Sequence, residues 1–115
     1  MIMNIEEAKN LVEAYLRKSE EEINKFGSAL PDHENPNIKL VILEDKIEEY
    51  VFGWVFYYNS EMFIKTGDYI HALAGNTPLI VDRKTKEIIV TGTVHKTEFY
   101  INNYKKHGNP HYETK

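Results

Sequence analysis

The amino-acid sequence predicts an α+β fold: a four-stranded antiparallel sheet with N- and C-terminal helices on one face, in the order α-β-β-loop-β-β-α. Three observations predict it. Apolar residues recur at helical spacing near both ends of the chain. Period-two alternation fills the middle, and a polar turn joins two short apolar runs after it. Helices at the ends and strands between them form an antiparallel sheet covered by its helices.

Asn4 is suited to cap the first helix, and Glu7 sits three residues on, where a capping box needs it. Ile5, Ala8, Leu11, Val12, Tyr15 and Leu16 then form one apolar stripe, and Gly27 lies past the expected end. Glu20, Glu21 and Glu22 approach the C-terminal end, where the helix dipole disfavours anions, so they are expected in solvent or beside a cation. Residues 27–38 are rich in Gly, Pro, Asn and Asp and read as a loop. Lys39 to Glu44 reads as the first strand, followed by a charged connection containing Glu44, Asp45, Lys46, Glu48 and Glu49.

Tyr50 to Tyr58 reads as the second strand. Its alternation puts Tyr50, Phe52, Trp54, Phe56 and Tyr58 on one face, and Val51, Val55 and Tyr57 on the other. A strand apolar on both faces belongs in the middle of a sheet, covered on each side. Gly53 within it signals close approach by a neighbour. Residues 59–77, broken by Gly67, Gly75 and Asn76, read as an ordered loop with a helical turn. Leu79 to Asp82 and Glu87 to Thr93 read as a hairpin turning through residues 83–86. The last helix has Thr97 as its expected cap and Phe99, Tyr100, Ile101 and Tyr104 as its apolar side; Gly108 ends it and Pro110 enforces the stop.

With 115 residues there is room for one core, so residues 1–107 are expected as a single domain and residues 108–115 as a flexible C-terminal tail. The composition, 42% apolar and 28% charged, is that of a globular chain. Eight Tyr, five Phe and one Trp supply large buried areas from few positions. Cysteine is absent, which removes disulfides and thiolate metal sites and suits a reducing compartment. The N-terminus has no basic region followed by an apolar run, and the longest apolar run, Val51 to Tyr58, is too short for a bilayer. A cytoplasmic protein without membrane contact is the expectation.

The net charge of −4 is uneven: residues 1–61 carry −7 and residues 62–115 carry +3. An acidic chain repels phosphate backbones, which argues against direct nucleic-acid binding, whereas its acidic half suits a basic partner. No catalytic constellation emerges. There is no Gly-x-Ser-x-Gly elbow, and the Asp68–His71 pair has no nucleophile beside it. His107 and His111 have i, i+4 spacing, but Gly108 and Pro110 between them prevent one helix from presenting both. Zinc needs three or four converging ligands, so neither a metal nor a cofactor is expected. Residues 75–78 lack the spacing of a dinucleotide fingerprint and the lysine of a P-loop.

Five strings together resemble a known family: residues 54–59 (Trp-Val-Phe-Tyr-Tyr-Asn), 66–68 (Thr-Gly-Asp), 72–82 (Ala-Leu-Ala-Gly-Asn-Thr-Pro-Leu-Ile-Val-Asp), 91–93 (Thr-Gly-Thr) and 100–104. They resemble the immunity protein 35 family, small bacterial proteins also called YrhB-domain proteins. The resemblance covers roughly residues 40–105 and marks Trp54, Gly75 and Gly92 as fold-defining. It departs at Thr77, where the family usually has glycine; a positive φ there would strain a threonine.

The resemblance implies a protein partner, a cognate toxin of a polymorphic toxin system that the immunity protein neutralises by direct binding, and no enzymatic activity. A stand-alone stress-related or chaperone-like binding domain is the alternative it leaves. Apolar residues on both strand faces allow a monomer or a homodimer. Charge and loop position nominate two partner-binding groups: the acidic connection with Glu44, Asp45, Glu48 and Glu49, and the long loop with Tyr58, Asp68, His71 and Asn76.

Overall fold

A computed structural model describes residues 3–28, 39–67 and 77–112. Asn4 opens helix α1 (Ile5–Ser28) as its residue type dictates. Its Oδ1 accepts the Glu7 N–H at 2.9 Å, while Glu7 Oε1 accepts the Asn4 N–H at 3.5 Å. The helix runs on through Gly27 rather than stopping before it. Its stripe buries Ala8, Val12 and Leu16 fully, with Leu11 and Tyr15 packed at the margin and Ile5 left partly exposed.

After the first helix the chain forms β1 (Leu40–Ile42), a 3₁₀ turn at Glu44–Lys46, β2 (Glu48–Tyr50), β3 (Gly53–Phe56), β4 (Tyr58–Ser60) and the short helix α2 (Glu61–Thr66). The hairpin β5 (Leu79–Asp82) and β6 (Ile88–Val90) follows, then helix α3 (Thr97–His107). The α+β class with antiparallel sheets holds, but the single four-stranded sheet does not. The described residues form two sheets: a β1–β4 pair, and a four-stranded sheet in the order β2-β3-β5-β6.

The expected continuous strand from Tyr50 to Tyr58 divides into parts of β2, β3 and β4. A tight turn at Val51 and Phe52 folds β2 back on β3, with Tyr50 opposite Gly53 and Glu48 opposite Val55. The cause is tertiary. Gly53 adopts φ +150°, and a Cβ there would lie 1.9 Å from the Val81 carbonyl oxygen. Close approach by a neighbour was legible in Gly53; the turn beside it was not. A second break at Tyr57 releases β4 from the large sheet to pair with β1, Ile42 opposite Tyr58.

The two helices also lie on opposite faces rather than one. Trp54 and Phe56 of β3, with Leu79 and Val81 of β5, pack under α1 against Ala8, Val12 and Leu16. Val55 and Ile80 point the other way and meet Ile101 of α3, joined by Tyr50, Phe52, Tyr57 and Tyr104. The turn thus moves Tyr50 and Phe52 from the expected Trp54 face to the α3 face. As expected for a strand apolar on both sides, β3 is central and all four of its residues are buried. Each full burial of a side chain such as Phe56, Leu79 or Val55 contributes roughly 1.5–3 kcal/mol.

The small sheet is tied to α1 through the backbone of Leu40. Its N–H donates to Glu20 Oε2 at 2.5 Å, and its carbonyl accepts from Arg17 Nη2, which also pairs with Glu20 at 3.1 Å. This answers the expectation for Glu20: the cation beside it is Arg17. The β5–β6 hairpin forms, its second strand confined to Ile88–Val90 rather than running from Glu87 to Thr93, with Lys86 taking positive φ in its turn. Lys96 rather than Thr97 is the cap residue of α3, and Gly108 ends the helix in the left-handed conformation at φ 68°. Beyond it, Asn103 Nδ2 donates to the carbonyls of Pro110 and Tyr112 at 3.1 and 2.9 Å. Among the described residues, no helix is long and apolar enough to cross a membrane.

Candidate functional site

The acidic connection is built from the 3₁₀ turn and β2. Glu44 forms an ion pair with Lys9 of α1 at 2.8 Å, and Asp45 has no ion-pair partner among the described residues. Glu48 and Glu49 are neighbours in sequence but diverge in space, because successive strand residues point to opposite faces. Glu48 lies opposite Val55, on the α3 side, and accepts the Tyr57 hydroxyl at 2.9 Å. Glu49 lies opposite Trp54, on the α1 side, and meets Arg83 Nη2 at 3.1 Å. The four carboxylates therefore do not form one continuous patch. β2 is an edge strand, and two charged residues within its three discourage another strand from adding to it.

Of the second nominated group, Tyr58 is half-buried at the margin of the α1-side core, where burial, and then the Tyr15 hydroxyl nearby, raise its pKa. Asp68, His71 and Asn76 lie outside the described residues.

A feature that the sequence did not disclose is an open groove of about 1120 Å³ between the β2–β3 turn, the β5–β6 turn and the end of α3. Its lining includes Tyr50, Phe52 and Tyr104, which form a ring array. Tyr50 and Phe52 stack at 5.2 Å with planes 6° apart, and Tyr104 meets Phe52 edge-on at 5.0 Å. Val51 stands at the rim, 97% exposed.

Charged side chains fix the walls. The Arg83 guanidinium lies over the Trp54 ring at 4.7 Å and donates to the Tyr50 carbonyl at 2.7 Å as well as to Glu49. It thereby ties the two turns together. Asp82 Oδ1 accepts the N–H groups of Lys84 and Thr85 at 2.7 and 3.0 Å, and Oδ2 accepts the Tyr104 hydroxyl at 2.6 Å. Burial alone would raise the Asp82 pKa, but the hydrogen bonds from Tyr104, Thr85 and Lys84 outweigh it and hold the carboxyl below its ordinary value. Burial, then the bond to Asp82, raises the Tyr104 pKa. Burial, then the bond to Glu48, does the same for Tyr57. Lys105 holds its ammonium 4.8 Å above the Tyr50 ring.

The family model described as immunity protein 35 matches residues 6–107, which takes in both sheets, the acidic connection and nearly all of the groove. The chain belongs to the immunity protein 35 family. The uncharacterized protein YrhB of Escherichia coli strain K12 is similar to this chain, with 40% identity over 53 residues. That alignment spans 46% of this chain and 56% of YrhB, so the chain covers little more than half of that relative. No solved structure matches the chain.

Two of the positions marked by the resemblance have a physical reason here. Trp54 is 2% exposed beneath Arg83, and a Cβ on Gly92 would lie 2.6 Å from the Tyr100 hydroxyl. Gly75 lies outside the described residues. Thr77, where the resemblance led to an expectation of strain, is not among the residues with positive φ. Among the described residues, no group of three or more His, Cys, Asp or Glu side chains converges to hold a metal ion.

Proposed function

We propose that this member of the immunity protein 35 family neutralises a cognate bacterial toxin by binding it directly, without chemistry of its own. The observation that carries the reading is the family match, which runs across residues 6–107 rather than one motif. The local chemistry agrees with it. Two ionisable groups of the groove hold the surface in shape: Asp82 pins a turn to α3, and Arg83 joins two turns across Trp54. Such a surface presents a pre-formed shape and charge to a partner, which limits the ordering cost of association.

In this reading the protein acts in the cytoplasm of the producing cell, as a monomer or homodimer, on the toxin made beside it. The test is co-expression. A candidate toxin domain, sought in the neighbouring reading frames, is induced in a sensitive host with this chain or with an unrelated immunity protein. Growth restored only by this chain supports the reading. Growth arrest despite abundant, folded chain rejects it. Suppression of aggregation of unrelated denatured proteins would favour a chaperone-like role instead.

A further inference from the structure

We propose that the groove between the β2–β3 turn, the β5–β6 turn and the end of α3 is the toxin-binding surface, and that its occupant is an acidic segment of the toxin carrying an aromatic or apolar anchor. The assignment rests on the immunity reading above and specifies where the partner docks and what its contact surface must contain.

Charge matching decides the sign. Both carboxylates of the groove already have partners: Asp82 takes three hydrogen bonds through its two oxygens, and Glu49 is paired with Arg83. Arg83 is matched by Glu49, and Lys84 lies near enough to Asp82 to help lower its pKa, but the two lysines are not held in ion pairs. Lys84 and Lys105 have no carboxylate within ion-pair distance among the described residues, and Lys105 rests instead on the face of Tyr50. With Arg83, Lys84 and Lys105 against Glu49 and Asp82, the lining is net positive in a chain whose net charge is −4. An acidic segment completes this arrangement; a basic one leaves both lysines opposed by like charge.

The rings supply the rest. Tyr50, Phe52 and Tyr104 are held by mutual contact and by the Tyr104–Asp82 bond, so they offer a pre-formed apolar floor beside an arginine. Tyr and Arg are enriched at the energetic centres of protein interfaces, and here the rings and Arg83 are already held in place. Val51 extends the same apolar surface onto the rim. The acidic connection is the weaker rival. Glu44, Glu48 and Glu49 each already face a cation or a hydroxyl, and the pleat sends Glu48 and Glu49 to opposite faces.

The experiment measures binding of the purified toxin domain from the adjoining reading frame by biolayer interferometry over a salt series. Two charge-reversed pairs are compared, Lys84→Glu with Lys105→Glu, and Glu44→Lys with Asp45→Lys. Circular dichroism melts confirm that each variant is folded. The lysine pair is expected to weaken binding about 100-fold and to slow association most, while Lys84→Gln with Lys105→Gln weakens it about 10-fold and flattens the salt dependence. Unchanged affinity in the lysine variants, or loss confined to the acidic pair, overturns this docking surface and leaves the immunity reading standing. A wild-type chain that does not bind the toxin domain removes both. Capture of a fluorescein-labelled oligouridine that depends on Lys84 and Lys105 would assign the groove to nucleic acid and also overturn the proposal.

Discussion

Replacing Tyr104 by Phe removes one hydroxyl from the groove and leaves its ring in place. That hydroxyl donates to Asp82 Oδ2 at 2.6 Å, joining α3 to the β5–β6 turn. Hydrogen bonds to charged groups contribute roughly 1.5–3 kcal/mol, and the partial exposure of Asp82 places this one near the lower end, at about 1.5 kcal/mol. Unfolding entropy near 60 °C is about 2.1 cal/mol/K per residue, so for 115 residues the melting temperature should fall by about 6 °C at pH 7. The effect should depend on pH. Because the folded carboxyl of Asp82 has a pKa below its unfolded value of 3.8, its contribution is fully present above that value and is lost as pH falls through the folded pKa. Thermal melts of wild type and Tyr104→Phe should therefore differ by the full amount at pH 7 and converge as the pH falls below 3.8 and through the lowered folded pKa. Asp82→Asn combined with Tyr104→Phe should cost less than the sum of the two single changes, since both remove the charged Tyr104–Asp82 bond. Equal melting temperatures at pH 7, or a gap unchanged in acid, would refute the reasoning.

Gly53→Ala should destabilise the fold by more than about 3 kcal/mol, because the new Cβ meets the Val81 carbonyl at the end of the β3–β5 ladder; urea denaturation measures it. Arg17→Met deletes the donor to the Leu40 carbonyl and the cation beside Glu20, and should cost about 1–2 kcal/mol, seen as faster amide exchange in β1 before the rest of the sheet. Gly108→Ala should cost about 1 kcal/mol, purely from its left-handed φ since a Cβ there has no neighbour within 4 Å, and Gly108→Asn should recover part of it in the same melts.

The first helix was legible because Asn4 and Glu7 act locally, within one turn, as their residue types require. Gly108 was legible for the same reason at the other end. The β5–β6 hairpin followed from its polar turn. Tyr50 to Tyr58 misled because Val51 and Phe52 are strand-forming residue types, and a segment apolar on both faces carries no phase to show where it turns. The turn is decided by the contact between Gly53 and Val81, which are distant in sequence. That same two-sided segment did show that each face of β3 needs a cover; placing both long helices on one face disregarded it.

The acidic residues were legible as composition, yet their separation depends on the pleat of β2, a strand the sequence reading ran into a connection. The groove was beyond reach for a different reason. Its parts come from residues 49–52, 82–84 and 104–108, and only the packing of α3 on the Val55 and Ile80 face brings them together. Aromatic residues near a glycine and a basic turn were visible singly, without anything to join them.

The central claim is that this chain acts by occupancy, one molecule of protein on one molecule of toxin. Titrating a fixed amount of the toxin domain with the purified chain, and following the toxin's own activity, tests it most directly. The account predicts a linear loss of activity that ends at one equivalent, with intact and active toxin recovered after denaturing separation. Inactivation by far less than one equivalent, or recovery of covalently altered toxin, would contradict it.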